Sequence, residues 1–297
     1  MKSIIPKETP LGEMHSLLLG AVGPRPIALA STIDEEGRPN LAPFSFFNVF
    51  STRPPILIFS PARRGRDNTT KHTFENARKT KECVVNIVDF SMVQQMSLSS
   101  TEYPAGVSEF EKAGFTPLDA DLVRSKRVKE SPVQLECTVR EILEMGDHGG
   151  AGNLIICEVV KMHITESVLD EHGRIDQTKI DLVSRMGGNF YCRAHGDALF
   201  EVPKPLRNLG VGVDSIPQEI RNSNVLTGND LGMLGNVETI PDETAVNEYK
   251  LSELSDIFIE FQDDAKTLEF KLHEKAHNEL QKGHVAEAWK TLLSFNN

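Results

Sequence analysis

No stretch of the chain approaches the roughly 18 consecutive apolar residues that a membrane-spanning helix requires, so a helical membrane protein is excluded. An excess of cations is also missing. Lys and Arg number 32 against 43 Asp and Glu, a net charge of −11, whereas phosphate neutralisation along nucleic acid needs clustered positive charge. Nucleic acid is therefore not expected as a partner. Cysteine is scarce: Cys83, Cys137, Cys157 and Cys192 form no CxxC pair, and the first three sit in apolar strand-like runs. Buried free thiols are expected, and no metal site. The common catalytic fingerprints are absent as well. There is no P-loop, HExxH or GxSxG, and GAVGPRP places prolines where the helix of a GxGxxG unit would begin. Histidines at 72, 148, 163, 172 and 195 are scattered without ligand spacing.

What remains is a chain of 297 residues, 39% hydrophobic and 25% charged, long enough for one large domain or one domain with an appendage. Its first twenty residues hold only a short apolar run at Leu17 to Leu19 and no cleavage pattern, so a cytoplasmic location is expected. From Pro26 to about Ile164 the pattern is mostly strands. PIALASTI, the turn DEEGRPN with Gly37, and NLAPFSFFNVF from Asn40 to Phe50 predict a hairpin, with Pro43 breaking the strand ladder. ILIFS and CVVNIV predict two further strands, and TTKHTFENARKTKE between them predicts a helix capped by Thr69 or Thr70. Residues 91 to 130 read as irregular, with a helical piece at 108 to 115 ended by Gly114. VQLECTVREILEM and NLIICEVVKMHITES, joined by GDHGGAG, predict a second hairpin of long strands. About six strands without βαβ alternation favour an antiparallel barrel over a parallel sheet. Past residue 200 a Pro- and Gly-rich connecting segment predicts surface wrapping. Leu268, Leu272, Ala276 and Leu280, four apart, then predict a helical appendage interrupted at Gly283.

Three stretches offer chemistry. NLAPFSFFNVF holds four phenylalanines with Ser45, Asn48 and Pro43, which suits the wall of a flat heterocycle. A Phe-rich core or a subunit interface would read the same way, and composition leaves both open. SPARRGRDNTTKHT gathers Arg63, Arg64, Arg66 and Lys71 with hydroxyls just ahead of a helix start, a combination that suits a phosphate better than a merely solvated loop. In SRMGGNFYCR, Gly187 and Gly188 permit close backbone approach between Arg185 and Tyr191, although Gly-Gly pairs usually mark turns.

Taken in order, GPRPIALASTIDEEGRPNLAPFSFFN, RPPILIFSPARR, KHTFENARKTKECVVNIV, AGVSEFEKAGFTP, SPVQLECTV and SRMGGNFY resemble the flavin reductase-like family of FMN-binding split barrels, from about residue 15 to 195. The resemblance implies a six-stranded antiparallel Greek-key barrel with peripheral helices in residues 1 to 200, followed by a partly irregular, then α-helical extension from 201 to 297. It implies FMN as cofactor, NAD(P)H as transient co-substrate with hydride passing to flavin N5, a homodimer, and a monooxygenase as a possible partner. A flavoredoxin-type electron carrier or a non-catalytic flavin-binding module is the alternative. By position, the resemblance assigns flavin contacts to Pro43, Phe44, Ser45, Phe46, Phe47 and Asn48, and to Ser60, Ala62 and Arg63 of the following strand end. Lys71 and Thr73 would serve the phosphate, with His72 where relatives carry an acidic residue. Arg25, Arg185 and Gly188 complete the set. No protein nucleophile is implied, because the flavin carries the redox chemistry.

Overall fold

The computed structural model describes residues 1–104, 106–205 and 209–296. Two compact units divide it, Met1–Phe200 and Glu201–Asn297.

Strands β1 (Ala28–Ile33) and β2 (Pro39–Phe44) form the first hairpin, in register from Ala28↔Phe44 to Ile33↔Pro39. Its turn is set by Asp34, whose Oδ1 accepts from the Glu36 and Arg38 N–H groups at 3.1 and 2.8 Å, while Gly37 supplies φ +86°. Pro43 does not break the ladder, contrary to the sequence expectation: it pairs with Leu29. β2 is an edge strand, where a missing N–H leaves no partner unserved. The break falls one step later. After Phe44 the chain changes partner, and β3 (Phe47–Thr52) pairs with β4 (Pro55–Phe59), with a bulge between Val49 and Ser51.

The stretch from Asn40 to Phe50 is therefore two strands, and the sheet holds seven strands rather than six. With β5 (Glu82–Ile87), β8 (Val133–Glu144) and β9 (Asn153–Ile164), its order is β2-β1-β5-β8-β9-β4-β3. The two edge strands are consecutive in the chain, separated only by Ser45 and Phe46. The sheet must therefore curl until its edges approach at that point. No β2–β3 ladder occurs among the described residues, so the edges meet through the chain. The outcome is the mainly antiparallel β architecture expected from the sequence.

One side of the curled sheet encloses Ala28, Ala30, Phe44, Phe59, Val85, Leu135 and Ile155, with the Cys83 and Cys157 sulfurs 3.6 Å apart. The other side of β1 and β2 packs Leu29 and Leu41 against Met92, Met96 and Phe110. β1 is buried on both faces, which explains why its sequence does not alternate.

Around this sheet lie α1 (Leu11–Ala21), α2 (His72–Thr80), α3 (Val93–Leu98) and α4 (Glu109–Ala113), the last ended by Gly114 at φ +70°. α2 buries Thr73, Phe74, Asn76 and Ala77 on one face. Neither Thr69 nor Thr70 caps it, a second departure from expectation. Lys71 holds the cap position without a side-chain bond, and the Thr70 hydroxyl instead donates to Glu75 Oε1 at 2.6 Å. Short ladders join β6 (Pro117–Leu118) to β7 (Arg127–Val128) and β10 (Val183–Arg185) to β11 (Tyr191–Arg193).

The second unit is helical: α5 (Gln218–Arg221), α6 (Gly228–Gly235), α7 (Glu243–Tyr249), a π turn over Lys250–Leu254, α8 (Ser255–Glu260), α9 (Ala265–Gln281) and α10 (Val285–Leu293). The four-apart stripe of Leu268, Leu272, Ala276 and Leu280 is buried on α9, and Gly283 at φ +80° turns the chain into α10. Trp289 is fully buried, its Nε1–H donating to Leu234 O at 3.0 Å. The connecting segment expected after residue 200 includes residues 206–208, which lie outside the described residues. Among the described residues, no helix is long and apolar enough to cross a membrane.

Candidate functional site

The point where β2 gives way to β3 opens onto a cleft of about 160 Å³. Pro43 and Ser45 form one wall; Arg185, Tyr191 and Ser100 form others. Arg25 shapes this cleft from behind. It is 6% exposed, and its guanidinium donates to the carbonyls of Leu19 (2.8 Å), Met186 (2.9 Å) and Val22. Its Nε lies 3.4 Å from Ser45 Oγ. One side chain therefore ties the end of α1, the Met186-Gly187-Gly188 turn and the tip of β2 together. Arg185 lies 4.5 Å above the Tyr191 ring and donates to Gly188 O at 2.5 Å, and Gly188 takes φ +57°.

A second, smaller pocket of about 40 Å³ lies further back along the same strand, beside Asn40 and Ala42. Arg64, Lys71, Thr73, Ser100 and Glu102 line it. Arg64 is fixed in place by bonds from Nη1 to Thr69 Oγ1 at 2.9 Å and to Thr70 O at 2.5 Å. Lys71 stands at the start of α2, where the first N–H groups have no partner within the helix. Burial lowers the Lys71 pKa from its ordinary value, with Glu102 opposing that shift. The Arg64 hydrogen bond holds Glu102 below the usual carboxylate range despite its partial burial. Ser100 borders both pockets, which make up the candidate groove: a wide end beside Pro43 and Ser45, and a cationic end beside Asn40 and Ala42, the alternate residues of the edge strand β2.

The structure separates the other predicted residues. Phe44 lies in the core, its ring 5.6 Å from Phe59, and Phe47 packs against the same cluster, so for Phe44 only the backbone is open to a ligand. Phe46 and Asn48 are exposed, and Asn48 Oδ1 accepts from the Val49 N–H at 2.8 Å. Ser60, Ala62 and Arg63 border neither end of the groove. Arg63 instead bonds the side chain and carbonyl of Asn68 at 2.8 and 2.9 Å, and its N–H donates to Ala151 O. Ser60 is buried with its hydroxyl unpartnered among the described residues, and a side chain at Gly152 would meet it at 2.9 Å. Thr73 is 1% exposed and accepts from Asn40 Nδ2 at 2.9 Å, bracing the pocket from beneath.

Sequence reasoning did not single out Ser100, Glu102 or Glu109. Glu109 is buried below β2, where it accepts from the Leu41 N–H at 3.1 Å; burial raises its pKa. Ser100 and Glu102 fall in the stretch read as irregular, whereas Glu109 lies in the helical piece at 108 to 115. Ser-Ser-Thr-Glu carries no periodicity, so only the folded position of the turn after α3 brings Ser100 and Glu102 to the groove.

Comparison with known proteins shows the family and the fold. The profile described as Flavin reductase like domain matches residues 21–179. An uncharacterized protein of Aquifex aeolicus is 38% identical over 196 residues, which cover 66% of this chain and 97% of that relative. The crystal structure of nitrilotriacetate monooxygenase component B from Bacillus cereus is similar at a TM-score of 0.63 and 32% identity, covering 68% of this chain and 98% of that one. The 2-nitrobenzoate 2-nitroreductase of Pseudomonas fluorescens is similar at a TM-score of 0.61 and 28% identity, covering 70% and 100%.

Proposed function

The chain belongs to the flavin reductase-like domain family, and we propose that its first unit binds FMN and works as an NAD(P)H:flavin reductase. The observation that carries this reading is the pair of pockets that share Ser100 at the edge strand β2, one walled by Pro43, Ser45 and Tyr191 and the other lined by Arg64 and Lys71, which suits a ligand with a flat ring at one end and a phosphate at the other.

The residues present fit that cofactor. At the wide end, Pro43, Ser45 and Tyr191 offer backbone, a hydroxyl and an aromatic wall for the isoalloxazine. At the other end, Arg64 and Lys71 supply charge and the first turn of α2 supplies N–H donors for the phosphate. When bound, the flavin would accept hydride at N5 from NAD(P)H. The chain's own contribution is orientation and shape. Arg25 fixes the tip of β2 through Ser45, and Thr73 with Asn40 sets the floor of the cationic end. No general base is required of the protein for hydride transfer, because the flavin supplies the redox chemistry when bound.

Two further parts of the reading follow from the surface and the relatives. β3 leaves Val49 and Phe50 exposed, Phe50 at 63%, on an edge unpaired among the described residues, with Phe46 exposed just before it, and a second copy of the chain would cover them in a homodimer. Similarity to a monooxygenase component supports a monooxygenase as consumer of the reduced flavin.

The test is stopped-flow absorbance of the FMN-loaded protein mixed with NADH or NADPH under anaerobic conditions. Rapid bleaching with either one is expected. An oxidised spectrum that persists with both would overturn the reductase reading in favour of a flavin-dependent electron carrier.

A further inference from the structure

Three cations converge on a single carboxylate at the narrow end of the groove. Glu102 Oε1 accepts from Arg64 Nε at 2.8 Å and lies 4.0 Å from Lys71 Nζ, while Oε2 is held by Arg66 Nη2. The carboxylate is delivered there by an ordered turn. Ser99 is buried and bonds Met96 O through its hydroxyl, and the Ser100 and Thr101 N–H groups bond Ser97 O and Leu98 O, each at 3.1 Å. Arg64 cannot swing to serve a second anion elsewhere, because Nη1 is tied to Thr69 and Thr70. With Glu102 in place the remaining space is about 40 Å³, a quarter of the 160 Å³ at the wide end.

An arriving phosphate therefore finds the cationic seat already engaged by the protein's own anion. We propose that Glu102 sets the preference between phosphorylated and unphosphorylated flavin, its carboxylate holding the seat that the terminal phosphate of FMN must take. The inference rests on the flavin reading of the groove and goes beyond it by assigning discrimination to a residue of the turn after α3. Two effects combine. The phosphate gains Arg64 and Lys71 only as Glu102 loses them, so the exchange gives a small difference between two similar interactions. A carboxylate left beside a dianion also repels it. Riboflavin, which has no phosphate, leaves Glu102 and its ion pairs undisturbed. The wild-type protein then discriminates weakly between the two flavins, and FMN exchanges readily.

Fluorescence-quenching titrations of the full chain with FMN and with riboflavin, for wild type, Glu102→Gln and Glu102→Ala, test this. Both variants are expected to bind FMN about tenfold more tightly and riboflavin with unchanged affinity, since only the phosphorylated ligand meets the like charge. An FMN-to-riboflavin ratio that stays the same or falls in both variants overturns the inference and leaves the flavin reading intact. A wild-type chain that binds neither flavin overturns the flavin reading and the inference together.

Discussion

Arg25 and Arg185 exchange backbone hydrogen bonds, N–H to O at 3.0 and 2.8 Å, and the Arg25 side chain then reaches on to the carbonyl of Met186. Two segments remote in sequence are thereby locked beside Ser45 by one residue acting through both its backbone and its guanidinium. A lysine cannot reproduce a planar fork that serves Leu19, Val22 and Met186 at once. Arg25→Lys should cost about 1–3 kcal/mol of stability, because part-buried carbonyls lose charged donors. Urea unfolding of the two proteins measures this, and an unmoved midpoint would mean the clamp contributes nothing.

Lys71 and Thr73 share the narrow end of the groove but should respond differently to substitution. Lys71 is partly exposed and already faces Glu102, so Lys71→Ala should weaken FMN by only about 0.5–1 kcal/mol and leave riboflavin binding alone. Thr73 is buried under Asn40, so Thr73→Val should cost about 1 kcal/mol of folding stability by removing a hydrogen-bond acceptor. Titration and thermal melts of each variant separate the roles. A Thr73→Val protein of normal stability with weakened FMN binding would show that Thr73 meets the phosphate directly.

The sheet and its hairpins were legible in the sequence because their determinants are local: β-branched runs, Gly37 in a turn, Gly114 past a helix end. The partner change at Ser45 and Phe46 was not, since no residue type marks a strand that leaves one neighbour for another; Pro43 pointed two residues too early. Of the residues the sequence offered, Pro43, Ser45, Lys71, Thr73 and Arg185 line the two pockets. Arg63 differs from its neighbour Arg64 only in where the backbone aims it, toward Asn68 and the β8–β9 loop. Glu102 depends on a turn whose position follows from burial of Met92, Met96 and Ser99, a tertiary outcome invisible in Ser-Ser-Thr-Glu.

Glu136 should make stability depend on pH. It is fully buried on β8, accepting from the N–H groups of Asp121 (2.9 Å) and Leu122 (2.6 Å) and bonded to His163 Nε2 at 2.6 Å. Burial alone would raise its pKa, but these donors outweigh it and hold the carboxyl below its ordinary 4.5. A depressed folded-state pKa contributes stability that is present above the unfolded value and lost as pH falls through the folded one. Glu136→Gln should therefore be destabilised by about 2–4 kcal/mol at pH 7, with the gap to wild type closing as pH drops below 4.5. Urea melts from pH 3 to pH 7 test this, and a gap independent of pH would contradict it.

The exposed edge of β3 gives the homodimer proposal a direct test. Val49 and Phe50 stand 58% and 63% exposed beside a bulge, on a strand that lacks an outer neighbour. A carboxylate in a buried apolar contact is strongly unfavourable. Val49→Asp with Phe50→Asp should turn a dimer into a monomer in sedimentation velocity while the far-ultraviolet circular dichroism stays unchanged. A wild-type chain that sediments as a monomer at micromolar concentration would refute the proposal outright.

Every residue of the groove belongs to Met1–Phe200, whose interior is built from apolar clusters of its own described residues. The helical unit in turn builds its interior from its own side chains: Ile216, Leu234, Leu280 and Trp289 in one cluster, Leu254, Leu268 and Leu272 in another. Disjoint cores predict separate cooperativity. Calorimetry of the full chain should show two transitions, and a chain ending at Phe200 should keep one of them together with unchanged affinity for FMN. Loss of flavin binding on removing residues 201–297, with the remaining unit still folded, would instead make the helical unit part of the binding machinery.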